Sequence, residues 1–337
     1  KPVTVILRVG ATLANVNGKS VALPKAPVVR NNRTLIPLSF FSTQFGATVG
    51  WQQASRTVTI VSPRKKMHLR AFYALRSYPE RDILTSMNSA AYGWGRIDAN
   101  GRFTLEGADF YWPPADGATT PESIVADAEG RGVGSYFMVF AQDGQQELTK
   151  MLSDETLSQA SIDGIVSVVR DKGFGGVLLD FEDLGLTMDA ASQQKLLNDY
   201  AKRLRAALPD GSALSIAVHP PNGAYKGYDY KTLASIADDL VLMAYGYHPK
   251  GTPLQTPEPN GKVEQAIAMA LQAGVPKSKL LLGIDVSRET PGSVDDKLGL
   301  AKRYGLKGAA FWRLGLFRTY AEGMEKAIAK SAVKEGE

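Results

Sequence analysis

The pattern of apolar and polar positions divides the chain into two parts. From residue 1 to about 62, short β-branched runs alternate with turn residues, which predicts a small α+β domain of mostly β-structure. One helical stretch, 38–45, is bounded by a proline and a glycine, and Trp51 is expected in the core of this domain. The basic, proline-containing segment 63–66 indicates a linker. We therefore expect 1–62 and 67–330 to fold as separate domains.

From residue 67 onward, apolar runs alternate with amphipathic helical stretches, a pattern typical of repeated βα units. The eight candidate strands are residues 68–75, 85–92, 134–140, 175–180, 213–218, 239–243, 279–284 and 308–312. Their number and spacing predict an α/β fold of the (β/α)₈ TIM-barrel type, whose functional residues lie at the carboxyl ends of the strands. A doubly wound open sheet is the alternative, but neither GxGxxG nor GxxxxGK[ST] follows a strand.

Composition and charge narrow the classes of partner. Apolar residues make up 44% and charged residues 22% of the chain, as in ordinary globular proteins. The 39 basic and 34 acidic residues leave a net charge of +5 in short runs, so we expect no nucleic-acid partner. The longest apolar runs are strand-sized, far below the roughly 20 residues of a membrane helix, so we expect no membrane span. We also expect a monomer.

Metal and redox chemistry have few candidate ligands in this chain. The absence of cysteine excludes disulfides, zinc–thiolate sites, iron–sulfur clusters and thiol nucleophiles. The three histidines, His68, His219 and His248, lie far apart in the sequence without HxxxH spacing. The sequence therefore predicts neither a metal site nor a cofactor.

The fourth candidate strand runs from apolar residues into carboxylates. Because side chains alternate along a strand, Leu178, Asp180 and Glu182 share one face, which in a barrel is the lumen. Two acids then meet at the mouth, where close carboxylates cannot both ionise cheaply and one can keep a proton for general acid catalysis. The alternative is structural, because Glu182 and Asp183 could instead cap the N-terminus of the following helix.

Aromatic residues lie near the ends of other candidate strands. Tyr245 and Tyr247 follow the sixth strand, and Trp312 ends the eighth. Tyr73 on the first strand and Trp94 after the second are further candidates. Ring faces beside carboxylates suit a sugar, whose C–H face stacks on a ring while its hydroxyl groups find polar partners. Core packing is the alternative explanation for each ring taken singly.

Taken together, these residues resemble glycoside hydrolase family 18, the chitinase-like enzymes, and most of all its bacterial cell-wall and spore-associated branch. The resemblance rests on Gly176–Glu182, on Met243-Ala244-Tyr245 and on Trp312. It implies that Glu182 is the general acid and base, that Asp180 orients the substrate acetamide, and that Tyr245 donates a hydrogen bond to it. It also implies that Trp312 forms the floor under the reacting sugar. From their positions near strand ends, Tyr73, Trp94 and Tyr247 are further expected substrate-binding residues.

The N-terminal part resembles the small domain named after the N-terminus of copper amine oxidase. The matching segments are 16–19, 33–38, 45–51 and 57–60. Residues 1 to 62 contain neither histidine nor cysteine, so copper has no suitable ligand there. The resemblance implies an accessory or wall-associating role.

Three hypotheses of function remain. The first is a secreted glycosidase, extracellular or cell-wall associated, that hydrolyses β-linked N-acetylglucosamine-containing glycan, peptidoglycan or chitin-like, by a substrate-assisted retaining mechanism. The second is a slow or non-catalytic glycan-binding relative, because Gly175, Leu178 and Gly246 stand where the family has acids. The third, a metal-dependent hydrolase such as a deacetylase, is disfavoured by the few histidines. The chain begins at Lys1, and no signal peptide is visible in it.

Overall fold

Two units make up the chain in the computed structural model, which describes residues 4–75, 77–319 and 323–336. The boundary between the units lies between Lys65 and Lys66. Residues 1–3 of the expected N-terminal domain, and 76 and 320–322 of the expected barrel, lie outside the described residues.

Short antiparallel strands and one helix form the N-terminal unit. A three-stranded sheet contains β1, β2 and β3, and two hairpins pair β4 with β5 and β6 with β7. The elements are β1 (Val5–Ile6), β2 (Leu13–Val16), β3 (Lys19–Ala22), β4 (Val28–Arg30), β5 (Arg33–Leu35), α1 (Leu38–Gln44), β6 (Thr48–Gln52) and β7 (Thr57–Val61). Helix α1 follows Pro37, as the sequence predicts.

Trp51 corrects one expectation for this unit, because 56% of its surface is exposed. The core contains Ala14, Leu23 and Phe40, and Trp51 on β6 is not part of it. Its indole N–H donates instead to the side chain of Gln53 at 2.8 Å. A two-stranded hairpin buries little surface by itself, so a large ring on it can remain exposed.

Eight parallel strands close into a barrel in the second unit, which confirms the predicted TIM-barrel fold. The barrel order is β8, β9, β11, β12, β13, β14, β15 and β16, and β8 pairs with both β16 and β9 to close it. The strands are β8 (Lys65–Ala74), β9 (Ser89–Ile97), β10 (Phe103–Thr104), β11 (Gly134–Gln142), β12 (Gly176–Glu182), β13 (Ala213–Val218), β14 (Asp239–Leu242), β15 (Leu280–Asp285), β16 (Gly308–Trp312) and β17 (Ala332–Lys334). The helices are α2 (Pro121–Gly130), α3 (Glu147–Ser153), α4 (Glu155–Lys172), α5 (Ala190–Ala207), α6 (Tyr230–Ile236), α7 (Asn260–Gln272), α8 (Pro291–Tyr304) and α9 (Met324–Ser331).

The second barrel strand differs most from its prediction. We expect a strand at 85–92, but β9 spans Ser89–Ile97 and a 3₁₀ helix occupies Tyr78–Ser86. Pro79 at the start of that helix fixes a helical φ and removes a ladder donor. Thr85 and Ser86 are the last residues of that helix and Met87 caps it, so the strand begins four residues later than predicted.

Small and medium apolar side chains fill the lumen. Residues at alternate positions of successive strands, such as Phe72, Leu178 and Val241, form one buried cluster distinct from the larger layer between strands and helices. Leu178 is fully buried there, which confirms that its face of β12 is the lumen face.

A charged layer closes the lumen at the amino ends of the strands. Arg70 on β8 is fully buried and donates to both carboxylate oxygens of Asp239 on β14, at 2.9 and 3.1 Å. It also donates to Ser215 at 2.7 Å and lies 4.1 Å from the ring centre of Tyr136. Lys307 adds a second cation to Asp239 at 2.6 Å. Because a buried charge is tolerated only when it is paired and hydrogen-bonded, this layer depends on all its members.

In the described part of the chain, no helix combines the length and the apolar character that crossing a bilayer requires.

Candidate active site

Asp180 and Glu182 lie at the carboxyl end of β12 on its lumen side. The parallel register pairs Asp180 with Phe140 and Glu182 with Gln142 on β11, and Asp180 with Ala217 on β13. Asp180 is 3% exposed, whereas Glu182 at the strand end remains partly open to the mouth. The deeper acid therefore sits on the apolar lumen filling, and the outer acid is the more accessible of the two.

Burial and mutual repulsion favour a proton on this pair of acids. Burial, and then the charge of Glu182, raises the pKa of Asp180 well above its usual range. Burial also raises the pKa of Glu182, and the charge of Asp183 adds to that shift, while His219 and a hydrogen bond from Gln142 oppose it. One Asp180 carboxylate oxygen is buried and has no hydrogen-bond partner among the described residues.

Asp183 directly follows β12, turns the chain away from the strand and lies next to a histidine. Its backbone is left-handed, with φ 67°, and its carboxylate lies 3.3 Å from Nε2 of His219 at the end of β13. The neighbouring His219 and Tyr225 side chains lower the pKa of Asp183, against the opposing effect of burial. The His219 ring also packs on that of Tyr225, with centroids 4.3 Å apart.

The alternative explanation of these acids as helix caps is wrong. Helix α5 begins at Ala190, and its N-cap is Asp189, whose carboxylate accepts from the Ser192 N–H at 3.0 Å. Glu182 and Asp183 lie before a connecting loop and are not helix caps.

Glu182, Asp183 and His219 also form the one cluster of potential metal ligands in the stretches that the structure describes. Their ligand atoms all lie within 4.8 Å of one another. Two carboxylates and an imidazole are a donor set that zinc and other transition metals accept. An ion bound there would occupy the Glu182 carboxylate and prevent it from transferring a proton.

The loop after β12 is fixed by close backbone packing and buried polar groups. Gly185 has φ 104°, and a Cβ atom there would lie 2.5 Å from the backbone nitrogen of Gly227. Asp143 is fully buried, and its carboxylate accepts hydrogen bonds from Thr149 and from the side-chain amide of Gln193. The side-chain oxygen of Gln193 in turn accepts a hydrogen bond from the Gly185 N–H. These contacts fix the segment that leaves Glu182.

The structure brings Tyr245 and Trp312 to the lumen cluster beneath the mouth. Burial, and then the charges of Asp180 and Glu182, raises the pKa of Tyr245 well above its usual range, so its hydroxyl stays a hydrogen-bond donor. Trp312 packs edge-on against Phe72, with centroids 5.3 Å apart.

Tyr247 stands on the loop after β14, outside the lumen cluster. Its hydroxyl donates to Asn222 at 2.9 Å. The backbone N–H groups of Gly246 and Tyr247 both donate to the buried carboxylate of Glu258, at 2.9 and 3.1 Å. Gly246 stands at a position where family 18 has an acid. It has φ 79°, and nothing lies within 4 Å of its Cβ position, so there is room beside Tyr245.

Two expected substrate-binding residues lie elsewhere. Tyr73 and Trp94 are 3% and 4% exposed and pack with Tyr92 in the layer between strands and helices, with centroids 5.1 and 4.8 Å from its ring. Their neighbours Phe72 and Gly93 take the lumen-facing positions, so alternation along the strand directs Tyr73 and Trp94 outward. They share no face with Tyr245 and Trp312.

Comparison with protein families decides the family of the barrel. Residues 138–289 match the model described as Glycosyl hydrolases family 18. The barrel is a family 18 glycoside hydrolase domain. Residues 1–60 match the model described as Copper amine oxidase N-terminal domain, so the family 18 domain is preceded by a domain of that type.

Curated relatives and solved structures agree with this assignment. The family 18 domain is 29% identical over 140 residues to the cortical fragment-lytic enzyme of Bacillus subtilis, covering 40% of this chain and 31% of the relative. It is 30% identical over 163 residues to chitotriosidase-1 of Mus musculus, covering 42% of this chain and 35% of the relative. The alignments thus span about a third of these relatives. The spore cortex-lytic enzyme SleL of Bacillus cereus has the same fold, with a TM-score of 0.67 at 16% identity over 84% of this chain and 78% of that chain.

Proposed function

We propose that the family 18 domain hydrolyses β-linked N-acetylglucosamine-containing glycan with retention of configuration, using the substrate acetamide as nucleophile. The observation that carries the proposal is the placement of Asp180 and Glu182 on one lumen face of β12 at its carboxyl end, above the apolar lumen filling. Residues two apart on a strand lie about 7 Å apart along it and point the same way. Two such acids cannot flank a sugar from opposite faces, so the second carboxylate of an ordinary two-acid mechanism is missing.

The proposed first step breaks the glycosidic bond. Glu182 gives its proton to the leaving oxygen while the acetamide carbonyl oxygen bonds to the anomeric carbon, which yields a positive oxazolinium ring. Asp180 lies where its carboxylate stabilises that charge, and the Tyr245 hydroxyl holds the acetamide in its attacking pose.

The second step returns the protein to its starting state. Glu182, now a carboxylate, accepts a proton from water as the water oxygen attacks the anomeric carbon and the bond to the acetamide oxygen breaks. The two displacements together retain the configuration of the anomeric carbon.

Substitution of the two acids tests the mechanism. In Glu182→Gln we expect a loss of about 10²–10⁴ in kcat/KM on N-acetylchitooligosaccharides and on purified peptidoglycan strands. In Asp180→Asn the rate should also fall, because proton donation remains but the cation is unstabilised. Asp210→Asn, in an exposed turn before β13, is the matched control. Equal cleavage of a substrate with a free 2-hydroxyl, or an unchanged rate in Glu182→Gln, contradicts the mechanism.

A slow or non-catalytic glycan binder is the second candidate. The observation in its favour is that an apolar residue, Leu178, lies beneath Asp180. Asp180 therefore has no second carboxyl group beneath it. The same substrates distinguish the two: a binder gives a calorimetric titration with N-acetylchitooligosaccharides that Glu182→Gln leaves unchanged, and no product.

The site of action proposed here is the bacterial cell wall, outside the membrane. The printed names of the cortical fragment-lytic and cortex-lytic relatives support it. The N-terminal domain would then associate the chain with the wall, and no copper is assigned to it. Co-sedimentation of the full chain with purified wall sacculi tests this, and a chain that stays wholly in the supernatant contradicts it.

A further inference from the structure

Asp285 is a further acid on the lumen side of the barrel, at the carboxyl end of β15. The candidate strand at 279–284 stops one residue before it, whereas β15 includes Asp285 and pairs it in register with Trp312 on β16. Leu281 of β15 belongs to the lumen cluster, and side chains alternate along a strand. Asp285 therefore shares the lumen face with Leu281 and stands beside Trp312, the proposed sugar floor.

Tyr245 packs against the same face of β15. A Cβ atom at Gly283 would lie 3.2 Å from the ring of Tyr245, so the missing side chain lets the ring lie against the strand. Asp285 is the next residue on that face. Burial raises the pKa of Tyr245, and the charge of Asp285 adds to that shift. Asp285 therefore lies within electrostatic reach of the hydroxyl group that we assign to the acetamide.

The Asp285 carboxylate is held through one of its two oxygens. Its Oδ1 accepts from the Ser287 N–H at 2.9 Å and from the Ser287 hydroxyl at 2.7 Å. Its Oδ2 accepts no hydrogen bond from any residue that the structure describes. The side chain is half-buried, and burial raises the pKa of Asp285 while the Ser287 bonds oppose that shift. A carboxylate that has lost part of its hydration binds a hydrogen-bond donor more strongly than one in open water.

A neighbouring acid, Glu258 on the loop after β14, differs in this respect. Its charge acts on Asp285, but its two carboxylate oxygens already accept from the backbone N–H groups of Gly246 and Tyr247. Glu258 therefore holds the loop and has no oxygen without a donor. The two acids of β12 have their own roles in the proposed reaction. Asp285 is left as an acceptor for another part of the substrate.

We propose that Asp285 binds the sugar whose bond is cleaved, by accepting a hydrogen bond from its 3-hydroxyl or its 6-hydroxyl group. These are the free hydroxyl groups of an N-acetylglucosamine unit within a chitin-like chain. The inference rests on the proposed function, because it places that sugar on Trp312 with its acetamide at Tyr245. Stacking alone leaves a sugar free to turn on a ring, and a polar contact at the edge fixes its orientation.

Three nitrophenyl N,N′-diacetylchitobiosides test the contact: the complete substrate, and analogues whose reacting sugar lacks the 3-hydroxyl or the 6-hydroxyl. In Asp285→Asn we expect kcat/KM on the complete substrate to fall about tenfold or more, because an amide N–H replaces the accepting oxygen while the Ser287 bonds remain. On the analogue that lacks the bonded hydroxyl, Asp285→Asn and wild type should agree within about twofold. An equal loss on all three substrates, or no loss, overturns the contact.

Ser287→Ala and Asp210→Asn are the controls. Ser287→Ala removes one bond to the Asp285 carboxylate, and a loss as large as that of Asp285→Asn would assign the effect to the turn and overturn the contact. Asp210→Asn, in an exposed turn, should behave as wild type.

A nucleophilic role for Asp285 is a separate outcome of the same assays. Asp285→Asn would then abolish cleavage of all three substrates, and the wild type would also cleave a glucoside with a free 2-hydroxyl. That result overturns the contact. If the wild type cleaves none of the substrates, the proposed function fails separately. The contact is then tested by titration calorimetry with N-acetylchitooligosaccharides, and an affinity that Asp285→Asn leaves unchanged overturns it.

Discussion

Nε2 of His219 lies 3.3 Å from the carboxylate of Asp183, the residue that directly follows Glu182 in the chain. The charge of Asp183 thus stands next to the group that we assign as proton donor, and it opposes the ionisation of that group. The charge of a residue that does not itself react can therefore shift the pH range of the reaction.

Asp183→Asn should move the alkaline limb of the kcat/KM profile to lower pH. The Asp183 charge raises the pKa of Glu182, so its removal lets Glu182 lose its proton at lower pH, and the deprotonated form cannot donate. The pH–rate profile on N-acetylchitooligosaccharides measures this, with Asp210→Asn as control. An alkaline limb that stays in place while the rate falls would show that Asp183 acts only on loop structure.

Tyr245→Phe should keep the fold and lose about ten- to a hundredfold in kcat/KM on acetamido sugars. The ring remains packed on the lumen cluster, but the hydroxyl that holds the acetamide is gone. Tyr304→Phe is the matched control, because its hydroxyl donates to Glu264 on a neighbouring outer helix, away from that cluster. Equal losses in the two variants would contradict the role assigned to Tyr245.

Gly185→Ala should destabilise the protein and reduce its activity, while Gly211→Ala should only destabilise it. Both glycines have positive φ, which costs a non-glycine residue roughly 1–2 kcal/mol. Only at Gly185 does the new Cβ meet backbone, 2.5 Å from the nitrogen of Gly227, whereas at Gly211 nothing lies within 4 Å. Thermal melts and kcat/KM of both variants measure the difference. Full activity in Gly185→Ala would show that the loop can shift without moving Glu182.

Arg70→Met should lower the free energy of unfolding by roughly 3–5 kcal/mol, because it leaves Asp239 buried with Lys307 as its remaining cation. Urea denaturation of the full chain gives the value. Arg303→Met on the surface should change it by about 0.5 kcal/mol or less. If the two variants melted alike, the charged layer at the base of the barrel would contribute no net stability.

Most barrel strands could be predicted because their apolar runs are flanked by helical patterns. Buried parallel strands are apolar on both faces, however, so the sequence carries no alternation that tells which residues face the lumen. For that reason the sequence predicts Tyr73 and Trp94 at the mouth. Their neighbours in the strands, Phe72 and Gly93, occupy the lumen-facing positions, and this shows that Tyr73 and Trp94 face outward. The acids of β12 could be assigned to the lumen face because a carboxylate at a strand end is not expected in the apolar layer between strands and helices.

The remaining features depend on contacts between distant parts of the chain. The ring of Phe110, between β10 and α2, packs in the lumen cluster in the space that Gly93 leaves, next to the Arg96–Asp109 ion pair. His219 meets Asp183 only because β12 and β13 are neighbours in the closed sheet. Contacts of this kind can be predicted only once the order of the strands in the barrel is known.

Among the described residues, the apolar filling of the lumen and its charged base close the barrel beneath Glu182. Leu178 lies fully buried beneath Asp180, and the Arg70 layer occupies the opposite end of the barrel. We therefore expect water for the second step to reach the anomeric carbon from the mouth of the barrel, where the released glycan fragment also lies. Departure of that fragment has to precede the arrival of water, so turnover on long, slowly dissociating chains should be governed by fragment release and not by bond cleavage.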